Sequence, residues 1–202
     1  MFVHNRYETK SELNTVLSLT ELAVINSALV HELQKERGMS AGYIGSHTVV
    51  ELMQSGHTPV IVDNYCNSSP TSIDSIEAIT AARPVTYKVD LTDKQALKEI
   101  FDNHTFDAVI HFAGLKAVGE SVAEPLLYYR QNIISTLNLL EVMSEYSVNE
   151  IIFSSSATVY GDPMTVPITE NESIKPTNPY GHTKAMIEQI IADWTKQPDN
   201  GT

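Results

Sequence analysis

From Gly42 onward, short runs of consecutive apolar residues alternate with longer stretches in which apolar residues recur every three or four positions. The long stretches predict amphipathic helices and the short runs buried strands. Tyr43–Ser55 reads as a helix stopped by Gly56, Val60–Asp63 as a strand, residues 71–82 as a helix and Val85–Val89 as a strand. Thr92–Asn103 follows as a capped helix with Asp93 in its first turn, then Ala108–Phe112 as a strand. Glu124–Tyr146 is a long helix with Pro125 at its start, Glu150–Ser154 a strand, and Pro179–Trp194 a helix with Asn178 as its N-cap. Upstream, Ser11–Glu36 also reads as a helix, with Leu13, Val16, Leu17, Leu22, Ile25, Leu29 and Leu33 roughly on one face and Gly38 as its stop. Apolar strands alternating with amphipathic helices mean a parallel sheet covered on both faces. The fold class is therefore doubly wound α/β; helical bundles and all-β folds are excluded.

Composition narrows the function classes. The 202 residues are 42% apolar, enough for a sizeable core. Lys and Arg number 13 against 25 Asp and Glu, a net charge of -12. With no basic cluster, sequence-independent nucleic-acid binding is not expected, because phosphate neutralisation needs cations. Between Arg130 and Lys175 there is no Lys or Arg, so an anionic ligand there would depend on backbone amides and neutral donors. Cys66 is the single cysteine, which excludes an intramolecular disulfide and argues against a Cys-rich metal site. No apolar run reaches the length of a membrane span and Met1–Lys10 is not a signal peptide, so a cytoplasmic protein with no membrane partner is expected.

The candidate chemistry lies at the carboxyl ends of the strands, where ligands sit in open α/β sheets. Gly42-Tyr43-Ile44-Gly45 opens a helix, and Asp63 follows the next strand, 21 residues after Gly42. Small residues let backbone N–H groups approach a pyrophosphate, and a carboxylate about 20 residues on accepts from ribose hydroxyls. Asp63 would repel a 2′-phosphate, favouring NAD over NADP; a structural turn would suit the glycines alone. Asp90-Leu91 suits an adenine contact or a helix N-cap region equally well. Phe112-Ala113-Gly114-Leu115-Lys116 ends a strand with residues small enough for a dinucleotide to cross, or forms a plain loop. Ser154-Ser155-Ser156 ends the next strand, and Tyr180 and Lys184 share one helix face at i and i+4. Making a tyrosine a base at neutral pH takes a shift of about 3 units, or about 4 kcal/mol, which a lysine ammonium and a nicotinamide cation could supply. A Tyr-x-x-x-Lys pair alone is a common surface coincidence; after a serine-rich strand end it signals hydride transfer.

Five motifs in order then resemble the UDP-glucose 4-epimerase family of extended short-chain dehydrogenase/reductases. They are Gly42 through Thr48, Asp63 through Ser69, His111 through Ser121, Ser154 through Asp162, and Asn178 through Lys184, within about residues 41–197. The resemblance implies a Rossmann-like NAD-binding domain and interconversion of UDP-glucose and UDP-galactose, as in galactose metabolism, through a 4-keto sugar. It implies that Tyr180 takes the proton of the sugar 4-hydroxyl assisted by Ser156, and that Lys184 holds the nicotinamide ribose and lowers the pKa of Tyr180. Gly42, Tyr43, Ile44, Gly45, Asp63, Asn64, Asn67, Ser68, Asp90, Leu91, Phe112, Ala113, Gly114, Lys116, Gln131, Asn132, Tyr180 and Lys184 are the implied NAD contacts. Lys116, Ser156 and Tyr180 are the implied substrate contacts, and no metal is implied. The family's cofactor-binding Asn aligns with Gln131, with Asn132 beside it. Related dehydratases carry Asp-Glu just after the strand-end hydroxyl where this chain has Ala157 and Thr158, so 4,6-dehydration lacks its acid–base pair. The resemblance also implies a homodimer through helices 124–146 and 179–194, using positions such as Leu126, Ile133, Leu137 and Ile190.

Two departures from the family shape the domain reading. Met39 stands where a fingerprint glycine belongs, and no strand precedes it; Leu22–Asn26 is the one candidate substitute. Losing a central strand would unpair roughly five ladder groups on each neighbour, at about 1 kcal/mol or more for each buried group. That sum rivals the whole stability of a domain, about 5–15 kcal/mol. The family also continues beyond the position of Thr202 with its last strands and a smaller domain that binds the substrate nucleotide. The expected organisation is therefore an atypical helical segment at 1–38, a partial NAD-binding domain at 39–197 and a loose tail at 198–202. Beside the epimerase stands a second reading, a catalytically incomplete NAD-binding remnant acting as a binding module.

Overall fold

The computed structural model describes residues 40–196. The expected helix Ser11–Glu36, the substitute strand Leu22–Asn26 and the tail 198–202 lie outside the described residues. Helices and strands alternate as α1 (Ser40–Gln54), β1 (Val60–Val62), α2 (Thr71–Thr80), β2 (Val85–Tyr87), α3 (Lys94–Asn103), β3 (Ala108–His111), α4 (Val118–Ala123), α5 (Pro125–Glu145), β4 (Glu150–Phe153), a 3-10 turn (Ala157–Tyr160) and α6 (Pro179–Trp194). The α/β class stands. Among the described residues the strands form two pairs, β1 with β2 and β3 with β4, rather than one continuous sheet. Val60–Val62, Val109, Ile110, Ile151 and Ile152 are half-buried, whereas strands of a closed doubly wound sheet are buried on both faces.

Three local readings change. The chain is already helical at Ser40, so the helix expected from Tyr43 starts earlier and Gly42 lies within α1 rather than ahead of it. Asp93 is the N-cap of α3, not a first-turn residue, and its carboxylate accepts from the Ala96 N–H at 3.1 Å. Helix α4 and the 3-10 turn were not expected, since six and four residues are too few to display a period.

Two compact units result. Within the described residues, one comprises 40–61 and 65–86 and the other 62–64 and 87–196. In the smaller unit α1 packs on α2, whose Ile73 and Ile76 are buried. A Cβ at Gly42 would stand 2.8 Å from that of Ser68, so the glycine turn of α1 and the Asn67-Ser68 segment are direct neighbours.

The larger unit is built around α5. Its first half buries Tyr128, Asn132, Ser135 and Thr136; its second half buries Leu139, Leu140, Val142 and Met143 in a core with Leu97, Phe101 and Val148. Phe101 stacks edge-on against Phe106 at 4.8 Å, and the Trp194 indole donates to the Ser144 hydroxyl at 2.8 Å, fixing the end of α6 on α5. Strands β3 and β4 run parallel, Ala108 opposite Glu150 through His111 opposite Phe153. The Ser154 N–H donates to the His111 carbonyl at 3.1 Å and extends this ladder one residue past β4.

Helix α6 meets the 3-10 turn at a glycine. A Cβ at Gly181 would lie 2.8 Å from the Thr158 carbonyl oxygen and 3.0 Å from the Pro176 side chain. Gly181→Ala would gain about 1 kcal/mol of helix propensity but overpack a backbone contact at about 1–3 kcal/mol. A net destabilisation of up to about 2 kcal/mol is expected, read as a lower urea midpoint.

His111 at the end of β3 is 2% exposed, and its Nε2 hydrogen-bonds the Thr136 hydroxyl at 3.0 Å. Because that hydroxyl itself donates to the Asn132 carbonyl at 2.9 Å, Nε2 carries the proton and donates. Burial, and secondarily the nearby Lys184 charge, depress the imidazole pKa from 6.5 to about 3. The folded form is thus favoured fully above pH 6.5, and that contribution is lost as pH falls from 6.5 toward 3. The unfolding free energy should fall with a slope that steepens from about 0.7 kcal/mol per pH unit at pH 6.5 to about 1.3 at pH 5. His111→Gln should remove most of that slope in urea titrations.

Candidate active site

Three consecutive serines leave β4, and each meets α6 or the turn beside it. Asn178 caps α6, its side-chain oxygen accepting from the Gly181 N–H at 2.9 Å, with Pro179 as the first helical residue. This start places Tyr180, Lys184 and Glu188 on successive turns of one face. Lys184, 5% exposed, donates from Nζ to the Ser154 carbonyl at 2.8 Å and lies over the Phe153 ring, 4.4 Å from its centroid. The Ser155 hydroxyl donates to the Glu188 carboxylate. Ser156 is extended and caps the 3-10 turn, its Oγ accepting from the Thr158 N–H at 3.2 Å and the Thr158 hydroxyl at 2.9 Å. The same Ser156 side chain acts on the Tyr180 phenol, drawing its pKa down.

Burial sets the charges here. It pulls the Lys184 pKa down from 10.5 to about 8, against the attraction of Glu188. It pushes the half-buried Glu188 carboxyl up, with Ser155 and Lys184 drawing it back. Burial also raises the Tyr180 phenol, and the opposing influence is the Ser156 hydrogen bond. The implied lowering of Tyr180 by Lys184 is therefore not the arrangement seen. The ammonium, 6.0 Å from the phenol ring centroid, is spent on the Ser154 carbonyl and the Phe153 face.

A second cluster forms around Asp90. Its carboxylate accepts from the Thr92 N–H (2.9 Å) and hydroxyl (2.7 Å), Asn64 Nδ2 (2.8 Å) and Gln131 Nε2 (3.0 Å). Burial would raise this carboxyl, but those hydrogen bonds outweigh it and hold it below its ordinary pKa. Asn138 clasps the same turn by donating to the carbonyls of Leu91 (2.9 Å) and Thr92 (3.0 Å). Asp63 precedes Asn64, and its N–H donates to the Tyr87 carbonyl at 3.1 Å, which ties the β1 end to this cluster.

The loop after β3 joins the two clusters. Asn132 Oδ1 accepts from the Leu115 N–H at 2.7 Å, while Nδ2 donates to the Leu115 carbonyl and the Thr183 hydroxyl, each at 3.0 Å. Thr183 in turn donates to the Tyr180 carbonyl at 2.7 Å. The ambiguity between Gln131 and Asn132 resolves into two separate tasks: Gln131 anchors Asp90, and Asn132 shapes the loop carrying Phe112, Ala113, Gly114 and Lys116. Tyr128, fully buried, accepts from the Ala117 N–H at 2.9 Å and donates to Glu120 at 2.6 Å, holding the residue after Lys116. Lys116 is half-buried, and burial lowers its ammonium pKa. Gly42, Tyr43, Ile44, Gly45, Asn67 and Ser68 belong to the smaller unit and are described with it. Sequence reasoning missed Tyr128, Asn138, Thr183, Ser155 and Glu188; the i+4 continuation from Tyr180 through Lys184 was a signal that could have found Glu188. The described residues hold no cluster of metal-binding side chains, and no described helix is long and apolar enough to cross a membrane.

Residues 40–199 match the family model described as GDP-mannose 4,6 dehydratase. UDP-glucose 4-epimerase 2 of Arabidopsis thaliana is 55% identical over 156 residues, covering 76% of this chain and 45% of that protein. The UDP-glucose 4-epimerase of Dictyostelium discoideum is 56% identical over 153 residues, covering 76% and 44%. The structure of the Bifidobacterium longum UDP-glucose 4-epimerase in complex with NAD+ and UDP superposes with a TM-score of 0.73 at 50% identity, covering 74% of this chain and 45% of that one. The chain thus spans a little under half the length of these relatives. With its strand-end serines facing a Tyr-x-x-x-Lys helix on an α/β frame, the chain belongs to the GDP-mannose 4,6 dehydratase family, and within it is similar to the UDP-glucose 4-epimerases.

Proposed function

We propose that this chain carries the NAD-holding and proton-transferring part of a UDP-glucose 4-epimerase. The observation that carries the reading is the buried Lys184, one helical turn after Tyr180 and anchored on the Ser154 carbonyl at the serine-rich end of β4. The donor set of the larger unit fits NAD. Carboxylates at Asp63 and Asp90 suit the hydroxyls and amine of an adenosine, the small Ala113-Gly114 pair leaves room across the β3 end, and Lys184, Ser156 and Tyr180 supply a cation and two hydroxyls. Asp63 would repel a 2′-phosphate and so favours NAD over NADP. Gly42 through Gly45, Asn67 and Ser68 are proposed as its further contacts.

When bound, NAD would accept a hydride from sugar C4 and return it to the other face. The chain's own residues handle the proton. The 4-hydroxyl of UDP-glucose or UDP-galactose would donate toward Tyr180 Oη, with Ser156 as the hydrogen-bonding relay. Lys116 would touch the substrate from the loop after β3. The burial that raises the Tyr180 phenol in the free chain means that additional positive charge at the site is needed before it can act as a base near neutrality. A 4,6-elimination needs a further acid–base pair next to Ser156, and Ala157 and Thr158 cannot provide one.

Exposed Leu126, Leu127, Ile134, Leu137 and Met186 on α5 and α6 support a homodimer through these helices. Ile190 is not available for it, because it packs against the core around Met143. A cytoplasmic location belongs to the same reading, which the single cysteine supports. The phenol of Tyr180, raised by burial, favours a second reading, NAD retention without turnover.

One experiment separates the two. The chain is purified, denatured and assayed for released NAD, and the folded chain is assayed for UDP-galactose conversion with added NAD. Released NAD with conversion is the expected result; NAD without conversion establishes the second reading, and neither overturns both. Where there is conversion, Tyr180→Phe should slow it by roughly 10²–10⁴-fold with folding intact.

A further inference from the structure

The row of α6 contacts does not stop at Lys184. One turn further on, Glu188 is half-buried and accepts a hydrogen bond from Ser155, the middle serine of the strand end. Its neighbours on either side are committed: Ser154 gives its carbonyl to Lys184, and Ser156 its hydroxyl oxygen to Thr158 while acting on the Tyr180 phenol. Three side chains of one helix face thus read three consecutive residues of one strand end, but in crossed order. Tyr180 takes the last serine, Lys184 the first and Glu188 the middle one. Glu188 is also the carboxylate that acts on Lys184 from the helix, whereas β3 turns the neutral His111 toward that ammonium. The other ionisable group influenced by Glu188 is Tyr160 on the 3-10 turn, and Glu170 acts on Tyr160 as well. An exposed carboxylate at i+4 from a lysine would be an ordinary helix-surface pair worth a few tenths of a kcal/mol. A carboxylate tethered below the surface, beside an ammonium 5% exposed, is a different object: Coulomb attraction there is poorly screened.

We propose that Glu188 is a positioning residue of the site: tethered by Ser155, it holds the strand-end serines against α6 and supplies the counter-charge that keeps Lys184 an ammonium. This rests on the reading of Tyr180, Ser156 and Lys184 as the epimerase-type centre. It adds that the lysine's charge is set from behind by a residue that touches neither cofactor nor sugar. The consequence is sharp because burial already brings Lys184 to about 8, near the pH at which it must work. Removing a nearby opposite charge moves a titration by about one unit or more, which here crosses the neutral range.

The test follows the Lys184 ammonium directly by NMR in full-length chain labelled with 15N-lysine, assigned by Lys184→Arg. In Glu188→Gln the Lys184 midpoint should fall by about one pH unit, and Glu188→Asp should recover part of the fall. An unchanged midpoint in folded Glu188→Gln overturns the proposal. Should Glu188→Gln not fold, Ser155→Ala removes the tether and leaves the charge. It should lower the midpoint by less than a unit, and no movement overturns the proposal equally. A second readout is the NAD dissociation constant by calorimetry between pH 6 and 9. The ratio of Glu188→Gln to the natural chain should grow with pH, approaching about tenfold at the upper end; a ratio constant across that range marks a purely structural role and overturns the counter-charge. If the natural chain binds no NAD at any pH, the epimerase reading fails, and the Lys184 titration still decides the assignment of Glu188.

Discussion

A buried ammonium governs the larger unit. Transferring a charge of this kind from water costs several kcal/mol after relaxation, so Lys184 can be 5% exposed only where partners are fixed in advance. Those partners come from one strand end: the Ser154 carbonyl at 2.8 Å and the Phe153 ring face, 4.4 Å away at its centroid. They reach Lys184 only because β4 stops where it does, because Asn178 starts α6 at Pro179, and because Gly181 lets α6 touch the 3-10 turn. Burial keeps the nearby His111 neutral, and the same charge adds to that effect. A helix cap, a glycine, a strand end and an imidazole are thereby coupled through one side chain.

Helix α5 supplies the frame for that arrangement by dividing its buried face in two. The apolar half, from Leu139 to Met143, joins the core with Leu97 and Phe101. The polar half points amide and hydroxyl groups at loops: Tyr128 at the Ala117 backbone, Gln131 at Asp90, Asn132 at both backbone groups of Leu115, Asn138 at the Leu91 and Thr92 carbonyls. Buried polar groups satisfied in this way rigidify what they touch, since leaving one partner unmade costs about 1–3 kcal/mol. The loops so held are the ones that follow β2 and β3, where ligands of doubly wound sheets bind. Asn132 also reaches Thr183 and, through it, the Tyr180 carbonyl, so hydrogen bonds link the loop after β3 to the phenol-bearing helix.

Much of this was legible in the residues. The strand runs, the long helices and the Asn178 cap follow from hydrophobic period and capping chemistry, and Pro179–Trp194 is found with the bounds the sequence suggested. Tyr180 and Lys184 share a face because i and i+4 always do. What was hidden is of two kinds. Short elements such as α4 and the 3-10 turn carry no period, and Asp93 could not be told as cap or first turn without the Ala96 contact. The second kind is long-range partnership: Gln131 with Asp90 and Asn132 with Leu115 span 41 and 17 residues, and a single sequence does not reveal which amide meets which loop. The break into two strand pairs lies between these cases. The departure from the family pattern ahead of Gly42 raised the question, and among the described residues the strands form two pairs.

The central claim is that burial keeps the Tyr180 phenol protonated in the free chain, and that the site is built for an added positive charge to release it. The most direct measurement is the titration of Tyr180 by 13C-ζ tyrosine NMR, assigned with Tyr180→Phe, in the free chain and with saturating NAD. The expected result is a midpoint above 10 in the free chain that falls with NAD by about 2–3 units toward neutrality. A Tyr180 midpoint that stays where it was in the presence of NAD would contradict the account.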